Sequence, residues 1–297
     1  MAEKLYEIIR RDFGAGDKER DKNEKTPEDI ERFDNIRYGD HPVFNVLDVY
    51  RPKNKKGEKL PVIVSVHGGA FVYGSKEVYQ YYCMKLAQKG YAVVNFSYRL
   101  APEFKYPAPL FDLKEVYEWM LYNKDEYGFD LNNTFAVGDS AGAHILGLYA
   151  GVATNYKASE KFGIAHSEDV RIKGIALNCG KFILDKNDEL SGYSGEELYA
   201  YVFENGGTQE ELDMFDVTEY VTPNYPRTFI MTCQGDFLKS QAKSMVFKLE
   251  DNNVPFEYHL YGNSNNKLWH VFHCHPTLKD AVLCNEEECD FFKRCIN

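Results

Sequence analysis

A chain of 297 residues with a net charge of −11 and a pI near 5.3 lacks the basic excess that neutralising nucleic-acid phosphates demands. Its hydrophobic fraction of 44%, with 15% aromatics, supports a sizeable core, in one large α/β domain or two small ones. No apolar run approaches the roughly 20 residues of a membrane-spanning helix, and the charged start Met1-Ala2-Glu3-Lys4 carries no signal-peptide core, so a cytoplasmic protein is expected.

In chain order, Asp17 to Arg32 is almost entirely charged or polar and reads as a solvated linker or an exposed helix face. Thr26, Pro27, Glu28 and Asp29 have the chemistry of a helix start: a cap, a first-turn proline and acids at the positive end of the dipole. The first 40 residues are therefore expected to form an N-terminal cap segment ahead of an α/β domain over 41–297. Val43 to Tyr50 is mostly apolar and β-branched and predicts a strand, followed by a basic turn over Arg51 to Lys59.

From there short apolar strands alternate with longer helical patterns. Strands are predicted over 62–66, 92–96, 135–137, 172–177, 228–232 and 256–260, and helices over 78–89, 110–122, 141–153, 240–251 and 286–295. Strands buried on both faces and separated by helices imply a mostly parallel central sheet with helices on both faces. The stretch between Cys179 and Pro226 breaks this rhythm; it is acidic, rich in tyrosine and glycine, and too long for a simple connection. An insertion over about 180–225 is expected to form a helical cap with the N-terminal segment. It would lie over the carboxyl ends of the strands, where such sheets bind ligands.

The seven cysteines, an odd number spread from Cys83 to Cys295, read as reduced thiols. His270, His273, Cys274 and His275 cluster, but the paired-ligand spacing of a structural zinc site is missing, and no metal is expected.

Gly138-Asp139-Ser140-Ala141-Gly142 is the G-x-S-x-G of the chain, placed between the predicted strand 135–137 and the helix from 141. In that context the motif is a sharp strand-to-helix turn that presents a serine nucleophile, with glycines where a side chain would strike neighbouring backbone. A serine so placed needs a base and an orienting carboxylate, in the order serine, acid, histidine. His270 follows the last strand after a polar loop and is the favoured base, with His273 and His275 as alternatives. His144, one turn along the elbow helix from Ser140, reads as a packing residue, His166 comes too early, and His259 falls within a strand. Asp236, in Cys233-Gln234-Gly235-Asp236 after the 228–232 strand, is the expected acid; capping the next helix is its competing role. His67-Gly68-Gly69-Ala70 follows the 62–66 strand, so Gly68 and Gly69, with Ala141, are expected to donate the backbone N–H groups of an oxyanion hole. Phe71, Tyr73, Tyr199, Tyr201 and Phe203 are candidates to line a substrate pocket.

Five stretches together resemble the hormone-sensitive-lipase-like carboxylesterases of the α/β-hydrolase fold: His67-Gly68-Gly69-Ala70-Phe71, Tyr98-Arg99-Leu100-Ala101-Pro102-Glu103, the elbow, Gly235-Asp236-Phe237-Leu238 and His270-Val271-Phe272. The resemblance runs from about residue 43 to the end. It implies a Ser140–His270–Asp236 triad and hydrolysis of small or short-chain acyl esters through an acyl-enzyme, with no cofactor. The implied partner is a small-molecule ester; a homo-oligomer is open. Ala70 replaces the family's usual third glycine, Ser97 stands where an aspartate is common, and Val271 replaces a glycine after the histidine. Two other readings use the same residues: a non-catalytic small-molecule-binding protein on a hydrolase scaffold, and an amidase or peptidase with this triad.

Overall fold

The computed structural model describes residues 3–296. Helix α1 (Leu5–Asp21) precedes strands β1 (Ile30–Arg37), β2 (Val46–Pro52) and β3 (Leu60–Val66). Helix α2 (Lys76–Ala87), β4 (Ala92–Phe96), α3 (Ala108–Asn123), β5 (Phe129–Asp139), α4 (Ala141–Thr154), α5 (Tyr156–Phe162) and β6 (Ile172–Asn178) follow. The next segment holds the short strands β7 (Glu189–Leu190) and β8 (Tyr193–Ser194) and the helices α6 (Gly195–Val202) and α7 (Gln209–Met214). The chain then closes with β9 (Arg227–Cys233), α8 (Lys239–Asp251), β10 (Phe256–Tyr261) and α9 (Lys279–Arg294).

Eight strands form one sheet in the order β1-β2-β4-β3-β5-β6-β9-β10. The β1–β2 and β2–β4 pairs are antiparallel and the rest are parallel, which is the α/β-hydrolase arrangement. Period-two alternation explains the double cover: Val62, Val64 and Val66 of β3 face the layer of α3, α4 and α8, while Ile63 faces α2 and α9. Because every parallel strand ends on the same side, the loops after β3, β5, β9 and β10 gather at one rim.

The N-terminal region differs from its sequence reading. Thr26-Pro27 starts no helix; Ile30 to Arg37 instead pairs with β2, Ile30 opposite Pro52, as the edge of the sheet. Backbone pairing outweighed local capping chemistry here. The helix lies earlier, where Leu5, Ile9 and Phe13 recur every fourth residue and turn one face inward. Of residues 1–40, it is thus α1 and not the whole segment that leaves the sheet. Arg10 fastens α1 to the body, its guanidinium donating to both Glu103 carboxylate oxygens at 2.8 and 2.6 Å and to Val72 O at 2.8 Å. Tyr73 donates to Asp17 at 2.8 Å at the other end of the helix, and Tyr193 of β8 donates to Asp12 at 3.3 Å. All seven cysteines are unbridged and buried.

Candidate active site

The Val66–Gly69 backbone and the elbow pack so closely that the elbow glycines have no substitutes. Ser140, between β5 and α4, holds φ 52° and ψ −117°, a region that side chains with a Cβ rarely enter. Its N–H donates to Asn178 O at 3.0 Å, and its own carbonyl accepts from Lys181 N at 3.2 Å. A Cβ on Gly142 would lie 2.1 Å from Val66 O and 2.5 Å from His67 O, and one on Gly138 would lie 2.6 Å from Gly142 O. Every one of these obstacles is backbone, so no rotamer change relieves them. Gly142→Ala should therefore destabilise the fold by about 3 kcal/mol or more, read as a large fall in melting temperature or loss of folded protein.

Asp236 and His270 come from adjacent rim loops and meet directly. His270 Nδ1 lies 2.7 Å from Asp236 Oδ1, with the imidazole 18% exposed and the carboxylate side chain fully buried. The other carboxylate oxygen accepts from Thr232 Oγ1 at 2.7 Å, while Oδ1 also accepts from the Leu238 N–H at 2.9 Å. Leu238 is the residue just before α8, so the aspartate braces a helix start and orients a histidine at once. Burial opposes its charge, but the bond to His270 and those to Thr232 and Leu238 outweigh it, holding the carboxyl below its ordinary value.

Ser140 and His270 line one cavity of about 960 Å³, together with Gly69, Ala70, Phe71 and Ala141. Among the sequence candidates, Tyr73 and Tyr199 also line it. Tyr201 and Phe203 do not: Tyr201 packs its ring 5.0 Å from Tyr6, and Phe203 is fully buried against Phe215 and Tyr106. On α6 only the face bearing Leu198 and Tyr199 turns to the cavity, a distinction that the run of aromatics concealed. Ile9, Phe13 and Gly16 of α1 form wall surface for which the sequence offered no motif; Phe237 and Trp269, at 40% and 52% exposure, flank His270.

Gly68 also differs from expectation. Its N–H donates to Tyr79 Oη at 2.9 Å, and Tyr79 in turn donates to Asp139 Oδ2 at 2.7 Å. That N–H is committed inside the fold and is not free for a ligand. Gly69 and Ala70, at φ 121° and 53°, are the loop residues beside Ala141 at the cavity. Asp139 is fully buried, and burial pushes its carboxyl up to about 6 against the Tyr79 bond. His67 is structural: its ring stacks on Tyr98 at 4.0 Å, and burial lowers its imidazole to about 4. Tyr98 donates to His67 O at 2.8 Å and Arg99 grips the buried Asp112 at 2.7 and 2.8 Å, which accounts for much of the Tyr98–Glu103 motif.

The remaining histidines separate by burial. His144 is fully buried under the cavity floor, 3.2 Å from Tyr106 Oη. His273 is buried behind the rim, while His275 lines the cavity but is not paired with Asp236. Asp139, His273 and Cys274 bring donor atoms within 4.8 Å of one another, as do Cys179, Asp236 and His270. In both groups the carboxylate is already an acceptor, from Tyr79 in the first and from His270, Thr232 and Leu238 in the second. No helix among the described residues is long and apolar enough to cross a membrane.

The sequence profile of the BD-FAE family matches residues 47–250. Esterase LipC of Mycobacterium tuberculosis is 36% identical over 121 residues, 40% of this chain, and the chain spans only 30% of that protein's length. Versiconal hemiacetal acetate esterase of Dothistroma septosporum is 25% identical over 252 residues, 79% of this chain and 73% of that protein. Among solved structures, esterase B from Lactobacillus rhamnosis superimposes with a TM-score of 0.88 at 24% identity, covering 98% of this chain and 94% of its own.

Proposed function

Because the chain belongs to the BD-FAE family and shares the α/β-hydrolase fold of esterase B, we propose that it is a serine carboxylesterase with Ser140, His270 and Asp236 as its triad. The observation that carries this reading is the 2.7 Å His270–Asp236 pair, opening on the same cavity as a serine at φ 52°. His270 Nε2 takes the Ser140 hydroxyl proton as Oγ adds to the ester carbonyl carbon. The tetrahedral oxyanion is met by the N–H groups of Gly69, Ala70 and Ala141, with Ala70 taking the role expected of Gly68. Collapse breaks the bond to the alkoxy oxygen, which leaves as the alcohol with the proton held on His270. Water then adds to the acyl-enzyme by the same route in reverse, and Asp236 keeps the imidazole in its working tautomer throughout.

We read α1 and the 180–225 segment as the cap of this site, since both contribute walls and touch through Tyr6–Tyr201 and Asp12–Tyr193. The relatives' names support ester substrates, and esterase B has been solved with a tributyrin phosphonate as inhibitor. A cavity of about 960 Å³ has room for more than a short acyl chain. The test is turnover of nitrophenyl esters of increasing acyl length, with Ser140→Ala as control. Activity is expected to persist well past butyrate; a flat zero across the series would favour a binding protein on this scaffold.

A further inference from the structure

Glu288 of α9 is a fully buried carboxylate for which the triad has no use. It lies on the α2/α9 face of the sheet. Its Oε2 accepts from Asn178 Nδ2 at 2.7 Å and its Oε1 from Tyr82 Oη at 3.1 Å. Asn178 is the last residue of β6, fully buried, and is the same residue whose backbone carbonyl takes the Ser140 N–H at 3.0 Å. β6 pairs Asn178 with Asp139, so the asparagine lies directly beside the elbow. We propose that Glu288 is a positioning residue for Ser140: by fixing the Asn178 side chain it steadies the carbonyl that holds the nucleophile at its strained dihedrals. This rests on the Ser140 reading above.

The charge state follows from the donors. Both Asn178 and Tyr82 present hydrogens to Glu288, and only an ionised carboxylate accepts both with no hydrogen of its own to place. Burying an ionised carboxyl without a cation is costly. The titratable groups around it are Tyr82 and Cys83 from α2, Tyr91 just before β4, Asp139 from β5, and Cys284 and Cys289 on its own helix. None of these is a cation. Burial accordingly pushes the carboxyl up to about 7, against the bonds from Asn178 and Tyr82. As pH falls through that value Glu288 gains a proton, one acceptor becomes a donor, and the clamp on Asn178 loosens.

The experiment is the rate at which a fluorophosphonate labels Ser140 in the full chain, per folded molecule. Glu288→Leu removes both bonds and should slow labelling about 10- to 100-fold, the scale of a small misplacement of a reacting group. Glu288→Gln should fall between Glu288→Leu and wild type, because its amide oxygen still accepts from one donor while its NH₂ faces the other, as the protonated acid would. The acid limb of the wild-type rate should be steeper, by up to one proton, than that of Glu288→Gln, which has no carboxyl to titrate at this position. Labelling of Glu288→Leu at the wild-type rate overturns the proposal. If the leucine variant does not fold, an acid limb in Glu288→Gln identical to wild type does the same. Wild-type protein that is not labelled at all removes the nucleophile reading instead. Ser140 amide hydrogen exchange then decides the relay alone: faster in Glu288→Leu upholds it, unchanged discards it.

Discussion

Ser140→Ala is expected to lower kcat for a nitrophenyl ester by about four to six orders of magnitude, with the melting temperature moved by only a few degrees. The first part follows from the role: without Oγ there is no nucleophile, and the cavity and N–H donors alone leave slow background hydrolysis. The second follows from the backbone. Alanine keeps the Cβ and so inherits the φ of 52° unchanged. Ser140→Gly should be equally inactive yet more stable than the alanine variant by about 1 kcal/mol, because glycine enters that region without the steric penalty. Parallel kinetics and thermal denaturation separate the two effects. Retained turnover in Ser140→Ala would remove this serine from the mechanism.

Asp236→Asn should lower kcat by about 10⁴, and it tests a carboxylate with two duties. The amide cannot hold His270 in the tautomer that accepts the serine proton. It also weakens the brace on Leu238 and Thr232, so stability should fall by about 1–3 kcal/mol at neutral pH. The pH dependence has a definite sign. The folded carboxyl lies below its ordinary value, so its stabilisation is full above the unfolded pKa of about 3.9 and is lost as pH falls through the lower folded value. The stability gap between wild type and Asp236→Asn should therefore be constant near neutrality and narrow below about pH 4. A gap that instead closes on the alkaline side would mean that Asp236 is not the charged partner described here.

Much of this architecture was legible from pattern alone. The strand over 92–96 coincides with β4, and β3, β6, β9 and β10 lie within two residues of their expected bounds, because β-branched runs buried on both faces leave few alternatives. β5 starts six residues before the expected 135–137, since its polar Asp130-Leu131-Asn132-Asn133 stretch carries no strand signal. The order of serine, acid and base was readable because each follows a strand end. Chain order could not reveal which N–H groups were free. Gly68 and Gly69 are equivalent in sequence, and only the fold brings Tyr79, eleven residues on, to the Gly68 N–H. Pocket walls fared worse. Tyr199 and Tyr201 are two residues apart, about 200° around a helix, so both could not face the same cavity. In α1 the mid-helix Gly14 and Gly16 masked the Leu5–Ile9–Phe13 stripe, and Glu288 had no motif because its partner, Asn178, is 110 residues away.

Ala70, Phe71, Ser140 and Val271 hold φ values of 53°, 64°, 52° and 53°, and all four line the cavity. No glycine is among the four, so this chain keeps the bend with residues that do not favour it. None of these conformations is a local preference; each is enforced by the sheet ends and loops packed around it. The pentapeptide at the elbow is therefore not a portable part. Transplanted into another loop, Gly138 to Gly142 would relax into an ordinary turn and carry the motif without its shape. An engineer borrowing this site would have to move the ends of β3, β5, β6 and β9 along with it.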